Sequence, residues 1–334
     1  MDENIKVSVL CPVYNHEKYI RQTLESFLAQ KTDFRYEIIV NDDASTDHSA
    51  EIIKEFAEKY PDIVVPLFHR ENAYRQGINP IQEFMIPAAR GRYIAFCEGD
   101  DCWTDENKLQ MQVNWMDSHP EYSACVHNTT NIYCDTGKEE PYNSIYGEDR
   151  DLTLREVLHG VGGVFHTGSV LAKEELIRNP PDFYLISAKH HVGDHPRAIW
   201  YAINGKIRYL NREMSVYRRK STPVSWSSRM YENDFIIDRL QGAVEMFEAV
   251  RKYIPEEYAP LLEETLLDYR WELLQAEGKF KELKTPPYDR IFKEKPLSQR
   301  LWIDLKQYFP GVYRTYLKLK GHEESLPEAM RKKP

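Results

Sequence analysis

The sequence has no run of the roughly 20 apolar residues that a membrane span requires, so no spanning helix is expected. It also lacks a cationic surplus, since 44 Lys and Arg stand against 53 Asp and Glu for a net charge of -9. That balance argues against a general nucleic-acid binder, which needs a basic face to release counterions. Glycine (15) and proline (19) are too sparse in 334 residues for a low-complexity or collagen-like chain. Cysteines number only five, at positions 11, 97, 102, 125 and 134, and no C-x-x-C pairs them. Reduced thiols and no zinc site are the expectation. No G-x-G-x-x-G follows the first strand candidate and no G-x-x-x-x-G-K-[ST] occurs, which argues against a dinucleotide on a helix N-terminus and against a P-loop. The opening Met1-Asp2-Glu3-Asn4 has neither the cationic nor the apolar part of a signal peptide. A cytoplasmic protein is expected.

What is present is a regular alternation over the first 130 residues. Val7 to Cys11 is a short apolar run, and Tyr19, Ile20, Leu24, Phe27 and Leu28 then recur at helical spacing. Tyr36 to Val40 reads as a second strand, and Asp47 can cap a helix carrying Ile52, Ile53 and Phe56. Val64 to Phe68 and Tyr93 to Cys97 are further strand candidates. Fully apolar strands suit a sheet covered on both faces, so an α/β fold with a mostly parallel central sheet flanked by helices is expected. From about residue 233 the chain turns helical, with one stripe from Ile236 to Val250 and another from Leu261 to Leu273. The expected organisation is therefore an α/β domain over 1–225 that divides near 120, and a helical region over 226–334.

Ligands of such sheets bind beyond the carboxyl ends of the strands. Three strand ends carry polar clusters: Pro12-Val13-Tyr14-Asn15, Asn41-Asp42-Asp43-Ala44-Ser45 and Glu98-Gly99-Asp100-Asp101. Paired carboxylates at a strand end suit a hard divalent cation, Mg²⁺ or Mn²⁺, bridging to substrate phosphates.

These segments resemble family 2 glycosyltransferases of the GT-A fold. Val7 to Asn15 is similar to that family's first strand and nucleotide loop. Ile38 to Asp47 is similar to its V-D-D-G-S-T-D segment, with Ala44 in place of the usual glycine, and Gly91 to Asp101 to its metal strand. The resemblance implies an inverting, metal-dependent transfer from a nucleotide sugar, with a uridine donor expected, in polysaccharide or glycan synthesis. It implies that Asp43 accepts a hydrogen bond from the base, that Pro12, Val13, Tyr14 and Asn15 line the nucleotide, and that Asp101 holds the cation with Asp100 close by. Asp194, in Gly193-Asp194, aligns with the catalytic base. Arg75 falls in a loop that could touch the nucleotide. His166 and Thr167 look like an acceptor-side segment, and Arg218, Arg219 and Lys220 could grip the diphosphate. Arg219-Lys220 stands where family members often carry a histidine, which puts a histidine cation ligand there in doubt. A nucleotidyltransferase and a non-catalytic sugar-nucleotide scaffold are the alternatives. The first of these usually shows a glycine-rich basic loop after the first strand, which this chain lacks.

The tail from 290 to 334 has eleven Lys and Arg against five acids, a net charge of +6, interleaved with aromatics such as Trp302, Tyr308 and Phe309. It can lie on an anionic membrane surface at the inner face, near a lipid-linked acceptor, or pack as a solvated helix. A homodimer through the tail or the helical stripes is equally open.

Overall fold

The computed structural model describes residues 5–159, 164–190, 193–219 and 232–320. Its chain divides into two compact units, one of Met1–Pro181 with Asp194–Ser221 and one of Asp182–Gly193 with Thr222–Pro334.

Among the described residues, the first unit is built on a sheet of ten strands. They are β1 (Ile5–Val13), β2 (Arg35–Asp42), β3 (Val64–Phe68), β4 (Tyr93–Phe96), β5 (Cys102–Trp103), β6 (Tyr122–Tyr133), β7 (Glu139–Pro141), β8 (Arg150–Leu152), β9 (Leu171–Lys173) and β10 (Lys206–Arg219). The main order is β3-β2-β1-β4-β9-β6-β10-β5. The parallel arrangement expected from the first 130 residues is present as β3-β2-β1-β4. Beyond it, β9 runs antiparallel to both β4 and β6, which makes the whole sheet mixed. β10 returns parallel to β6 and antiparallel to β5.

Period-two alternation explains the two buried faces. Val7, Val9, Cys11 and Val13 of β1 face the same core as Ile38 and Val40 of β2 and Tyr93 and Ala95 of β4. The helix Ile20–Leu28 covers that face with Ile20, Leu24 and Phe27, and the helix Ser49–Lys59 with Ile53 and Phe56. Leu10, Ile39, Ile94 and Phe96 point the other way and are equally buried. The N-cap of the second helix is His48 rather than Asp47, which lies one residue earlier and accepts from Ser49 N and from Glu17 N, each at 3.0 Å.

One polar lock holds β1, β2 and the entry to β4. The fully buried Glu37 accepts from the Ser8 hydroxyl at 2.6 Å and from Arg90 N and Nε, each at 2.8 Å. Gly91 follows at a close approach, since a Cβ there would lie 2.4 Å from Ser8 N. The glycine that opens the metal-strand motif is thus demanded by packing.

The second unit contains the expected helical stripes as the helices Asn233–Val250 and Ala259–Ala276. Phe247 packs against Tyr269 at 5.1 Å between ring centroids. Trp271, Phe280, Leu283 and Ile303 form a separate cluster that receives the helix Leu297–Tyr308. No described helix is long and apolar enough to cross a membrane.

Candidate active site

Register brings the three polar strand ends to one rim. Val13 of β1 pairs with Asp42 of β2, and Leu10 pairs with Phe96 of β4. The chains stay tied past the strands, with Asp43 N donating to Val13 O at 2.9 Å and Gly99 N to Pro12 O at 3.0 Å.

On the β1–β2 side of the rim, Asp43 is buried and its carboxylate accepts from Ala73 N at 2.7 Å and Tyr74 N at 3.1 Å. A carboxylate has about four acceptor positions, so two lone pairs remain. Arg75 lies with its guanidinium 5.5 Å from the centroid of the Tyr14 ring, and its N–H donates to Asn72 Oδ1. Val13 is in the core, and Pro12 contributes its carbonyl to the tie with Gly99. Asn15 does structural work: its N–H donates to Ser45 Oγ at 2.9 Å and its Oδ1 accepts from Thr46 N at 2.7 Å. It links the two loops from a left-handed conformation, φ 56°, which asparagine tolerates.

Ala44 also sits at φ 58°. An L-residue other than glycine or asparagine pays roughly 1–2 kcal/mol there, against roughly 0.5–1 kcal/mol of extra backbone entropy lost by a glycine. Ala44→Gly is therefore expected to stabilise the protein by about 0.5–1 kcal/mol, read as a higher urea midpoint at unchanged m-value. A lower midpoint would refute the strain argument.

On the β4–β10 side, Glu98, Asp101 and His166 offer ligand atoms that all lie within 4.8 Å of one another. Asp101 is 1 % exposed. Its Oδ1 accepts from Arg218 N at 2.7 Å, and its Oδ2 is buried with no hydrogen-bond partner among the described residues. His166 Nε2 lies 3.7 Å from that Oδ2. The turn is held from below by Thr23, whose hydroxyl donates to Asp101 O at 2.6 Å and Gly99 O at 3.0 Å. Asp100 faces His16, with Nε2 3.8 Å from Oδ2.

The electrostatics follow from this crowding. Burial, then the charges of Asp100 and Glu98, push the Asp101 carboxyl well above the usual range, against the N–H and guanidinium of Arg218. Burial, then Asp100 and Asp194, push Glu98 up to about 8, against the guanidinium of Arg197. Burial holds the His166 imidazole down at about 4, against the pull of Asp194 and Asp100. Carboxylates that cannot all ionise together are a ready-made place for a multivalent cation.

Asp194 starts the helix Asp194–Asn204, with its side chain 58 % exposed and Arg197 Nη1 3.9 Å from Oδ1. It is an electrostatic neighbour of Glu98, His166 and Tyr142. Thr167 is buried in the one-turn segment Thr167–Ser169, where its carbonyl accepts from Val170 N. Arg218 is buried rather than offered to solvent. Its guanidinium donates to Asp100 O at 2.6 Å and Gln22 Oε1 at 2.5 Å, under the Asp100–Asp101 turn. Arg219 lies over the Tyr133 ring at 5.2 Å. Lys220 falls outside the described residues.

Two residues of this site, Arg197 and Tyr217, are not singled out by the sequence, and Glu98 is read there only as part of the strand-end cluster that suits a cation. Glu98 had a signal, since it shares the strand-end motif with Asp101. Arg197 and Tyr217 had none: one is set by a helix turn after Asp194, the other by the pairing of β10.

The rim thus gathers Asp43, Tyr14 and Arg75 on one side, and Glu98, Asp101 and His166 with the exposed Asp194 as their electrostatic neighbour on the other. The fold is that of the GT-A glycosyltransferases. Residues 8–176 match the model of Glycosyl transferase family 2, and the chain belongs to that family. It is 35% identical over 244 residues, 73% of this chain and 67% of the other, to an uncharacterized protein of Mycobacterium tuberculosis (strain ATCC 25618 / H37Rv). In structure it is similar to S. aureus TarS 1-349 in complex with UDP-GlcNAc, with a TM-score of 0.62, 18% identity and coverage of 98% of this chain and 92% of that one. It is also similar to the mannosyltransferase PcManGT from Pyrobaculum calidifontis in complex with GDP-Man and Mn²⁺, with a TM-score of 0.54, 19% identity and coverage of 97% and 86%. The chain is a glycosyltransferase of this family.

Proposed function

We propose that the chain transfers a sugar from a uridine diphosphate sugar to a glycan hydroxyl with inversion at the anomeric carbon. The observation that carries this reading is the buried, unpartnered Oδ2 of Asp101 beside Glu98 and His166. A buried carboxylate oxygen without a partner is costly, and a divalent cation would satisfy it. Glu98 and Asp101 would hold that ion, Mn²⁺ or Mg²⁺, whose chemistry is to offset charge on the diphosphate. Asp43 would take N3–H of the base with its remaining lone pairs, and Tyr14 and Arg75 would border the base.

The bonds balance simply. Asp194 takes the proton of the acceptor hydroxyl, the acceptor oxygen bonds to the anomeric carbon, and the bond from that carbon to the phosphate oxygen breaks with its electron pair on the diphosphate. A hydroxyl is a poor nucleophile until a carboxylate removes its proton. Arg218 supports the site from beneath instead of binding the diphosphate itself.

Thermal unfolding with UDP, GDP, dTDP or CMP, each with Mn²⁺ or with EDTA, tests the reading. A ligand of the native state stabilises it by about 2.7 kcal/mol at 100 times its Kd. The expected result is a Mn²⁺-dependent rise in Tm with UDP. A rise with GDP alone would overturn the role given to Asp43, and no rise with any nucleotide would overturn the donor site.

The acceptor is taken to be lipid-linked because of the tail. Leu297, Leu301, Tyr308, Phe309, Val312 and Leu319 are each more than half exposed, while Ile303 of the same segment is buried against Trp271 and Leu283. Residues 290–320 hold eight Lys and Arg against two acids. An apolar face in a basic segment suits an anionic lipid surface. The protein is expected to float with vesicles of phosphatidylglycerol and phosphatidylcholine, but not of phosphatidylcholine alone, and Leu301→Glu with Val312→Glu should weaken flotation at least about tenfold. No flotation, or a dimer in solution that the same changes dissociate, would refute the lipid surface.

A further inference from the structure

His166 sits among the candidate cation ligands, yet its hydrogen bonding has the wrong polarity for one. Its Nδ1 accepts from Gly168 N at 3.1 Å. An accepting ring nitrogen carries no proton, so the proton of the neutral imidazole is on Nε2. A ligating histidine does the reverse, donating from its other nitrogen to a carboxylate, carbonyl or water.

The turn that fixes this tautomer is held from several sides. Ser169 returns its hydroxyl to His166 O at 2.6 Å, Trp103 Nε1 donates to Gly168 O at 3.0 Å, and Gln112 Nε2 donates to Ser169 O at 2.8 Å. The imidazole is stacked on Tyr217, with centroids 4.2 Å apart and planes 24° apart. Turning the ring over would break the Gly168 bond. Nε2 therefore presents N–H toward the cluster, 3.7 Å from the unpartnered Oδ2 of Asp101, which is too far for a direct bond.

We propose that His166 is a neutral hydrogen-bond donor to an oxygen of the leaving diphosphate, and not a ligand of the cation. This rests on the donor reading above. A diphosphate oxygen is an acceptor only, and its charge grows as the bond to the sugar breaks. A fixed N–H is then worth more in the transition state than in the ground state. No proton changes hands at His166: it donates a hydrogen bond throughout, and the acceptor's proton still goes to Asp194.

Two substitutions separate the roles. His166→Phe keeps a ring to stack on Tyr217 and removes the donor, whereas His166→Gln keeps an amide donor near the Nε2 position. With the full chain, kcat is expected to fall about 10²–10³-fold for His166→Phe and at least about tenfold less for His166→Gln. Mn²⁺ affinity in the presence of UDP should stay within about twofold in both. In protein labelled with ¹⁵N-histidine, electron spin-echo spectra of the Mn²⁺–UDP complex should show no directly coordinated histidine nitrogen. A coordinated nitrogen, a tenfold loss of Mn²⁺ affinity in both variants, or equal kcat losses for Gln and Phe would overturn the proposal. Failure of Mn²⁺ to bind the wild-type protein with UDP would remove the cation reading instead, and the difference between Gln and Phe would still decide for His166.

Discussion

Asp194→Asn is expected to lower kcat by about 10²–10⁴-fold while leaving the fold and nucleotide binding intact. The substitution keeps the shape of the side chain and removes its ability to take a proton. Asp194 is well exposed at the first turn of its helix, so the change buries nothing and empties no cavity. Asparagine also remains a good residue for a helix start, which limits any loss of stability to a few tenths of a kcal/mol. The side chain makes no hydrogen bond to the β1–β2 side of the rim, where Asp43 and Tyr14 lie. The Mn²⁺-dependent response to UDP should therefore survive. The decisive comparison is steady-state transfer to a glycan acceptor beside the thermal response to UDP. A variant that transfers within about threefold of wild type would remove Asp194 as the base. Loss of both transfer and UDP response would mean that Asp194 supports the site's structure instead.

Much of this site was legible because its parts are local. Apolar runs located β1 to β4, and the polar residues that end those runs had to share one rim once the strands were parallel. Glu98 and Asp101 come from a single turn, so one motif carried both. Arg218 shows where local reading stops. Cationic residues at a strand end read as a phosphate grip, but Val216 of β10 pairs antiparallel with Cys102 of β5, and this places the neighbouring Arg218 under the Asp100–Asp101 turn. Nothing within either segment announces that pairing. His166 was visible as a residue type, but its tautomer depends on how the local turn aims Gly168 N at its ring, and its stacking partner Tyr217 comes from β10, far along the chain. Asn15 looked like a ligand contact and proves to be a link between loops, because its left-handed backbone turns the side chain onto Thr46.

Asp101→Asn should move stability and ligand response in opposite directions. Glu98 and Asp101 both titrate above ordinary carboxylates, because burial disfavours the ionised form, with the charges of Asp100 and Asp194 adding to it at Glu98 and those of Asp100 and Glu98 at Asp101. A group whose pKa is raised on folding adds stability only while protonated. That stability is fully present below the unfolded value, about 4 for a carboxylate, and is lost as pH rises through the folded value, about 8 for Glu98. The cation-free protein should therefore lose stability between about pH 4 and pH 8 on account of Glu98, and Asp101 adds a loss of the same sign as pH rises. Asparagine at 101 cannot ionise, can keep the bond from Arg218 N, and can offer N–H toward Glu98. In EDTA at pH 8 the variant is expected to melt about 3–6 °C above wild type, with the gap closing toward pH 5. Adding Mn²⁺ and UDP should raise the wild-type Tm and leave the variant's unchanged. Scanning fluorimetry across pH with and without Mn²⁺ reads both effects at once. If the variant were less stable than wild type in EDTA at pH 8, the buried carboxylate would be a structural asset, and the cost now assigned to Asp101 would be wrong. If it still responded to Mn²⁺, the ion would be held elsewhere. The expected pair of signs is what a binding site implies: acids held close together destabilise the empty protein, and that same strain favours the ligand that relieves it.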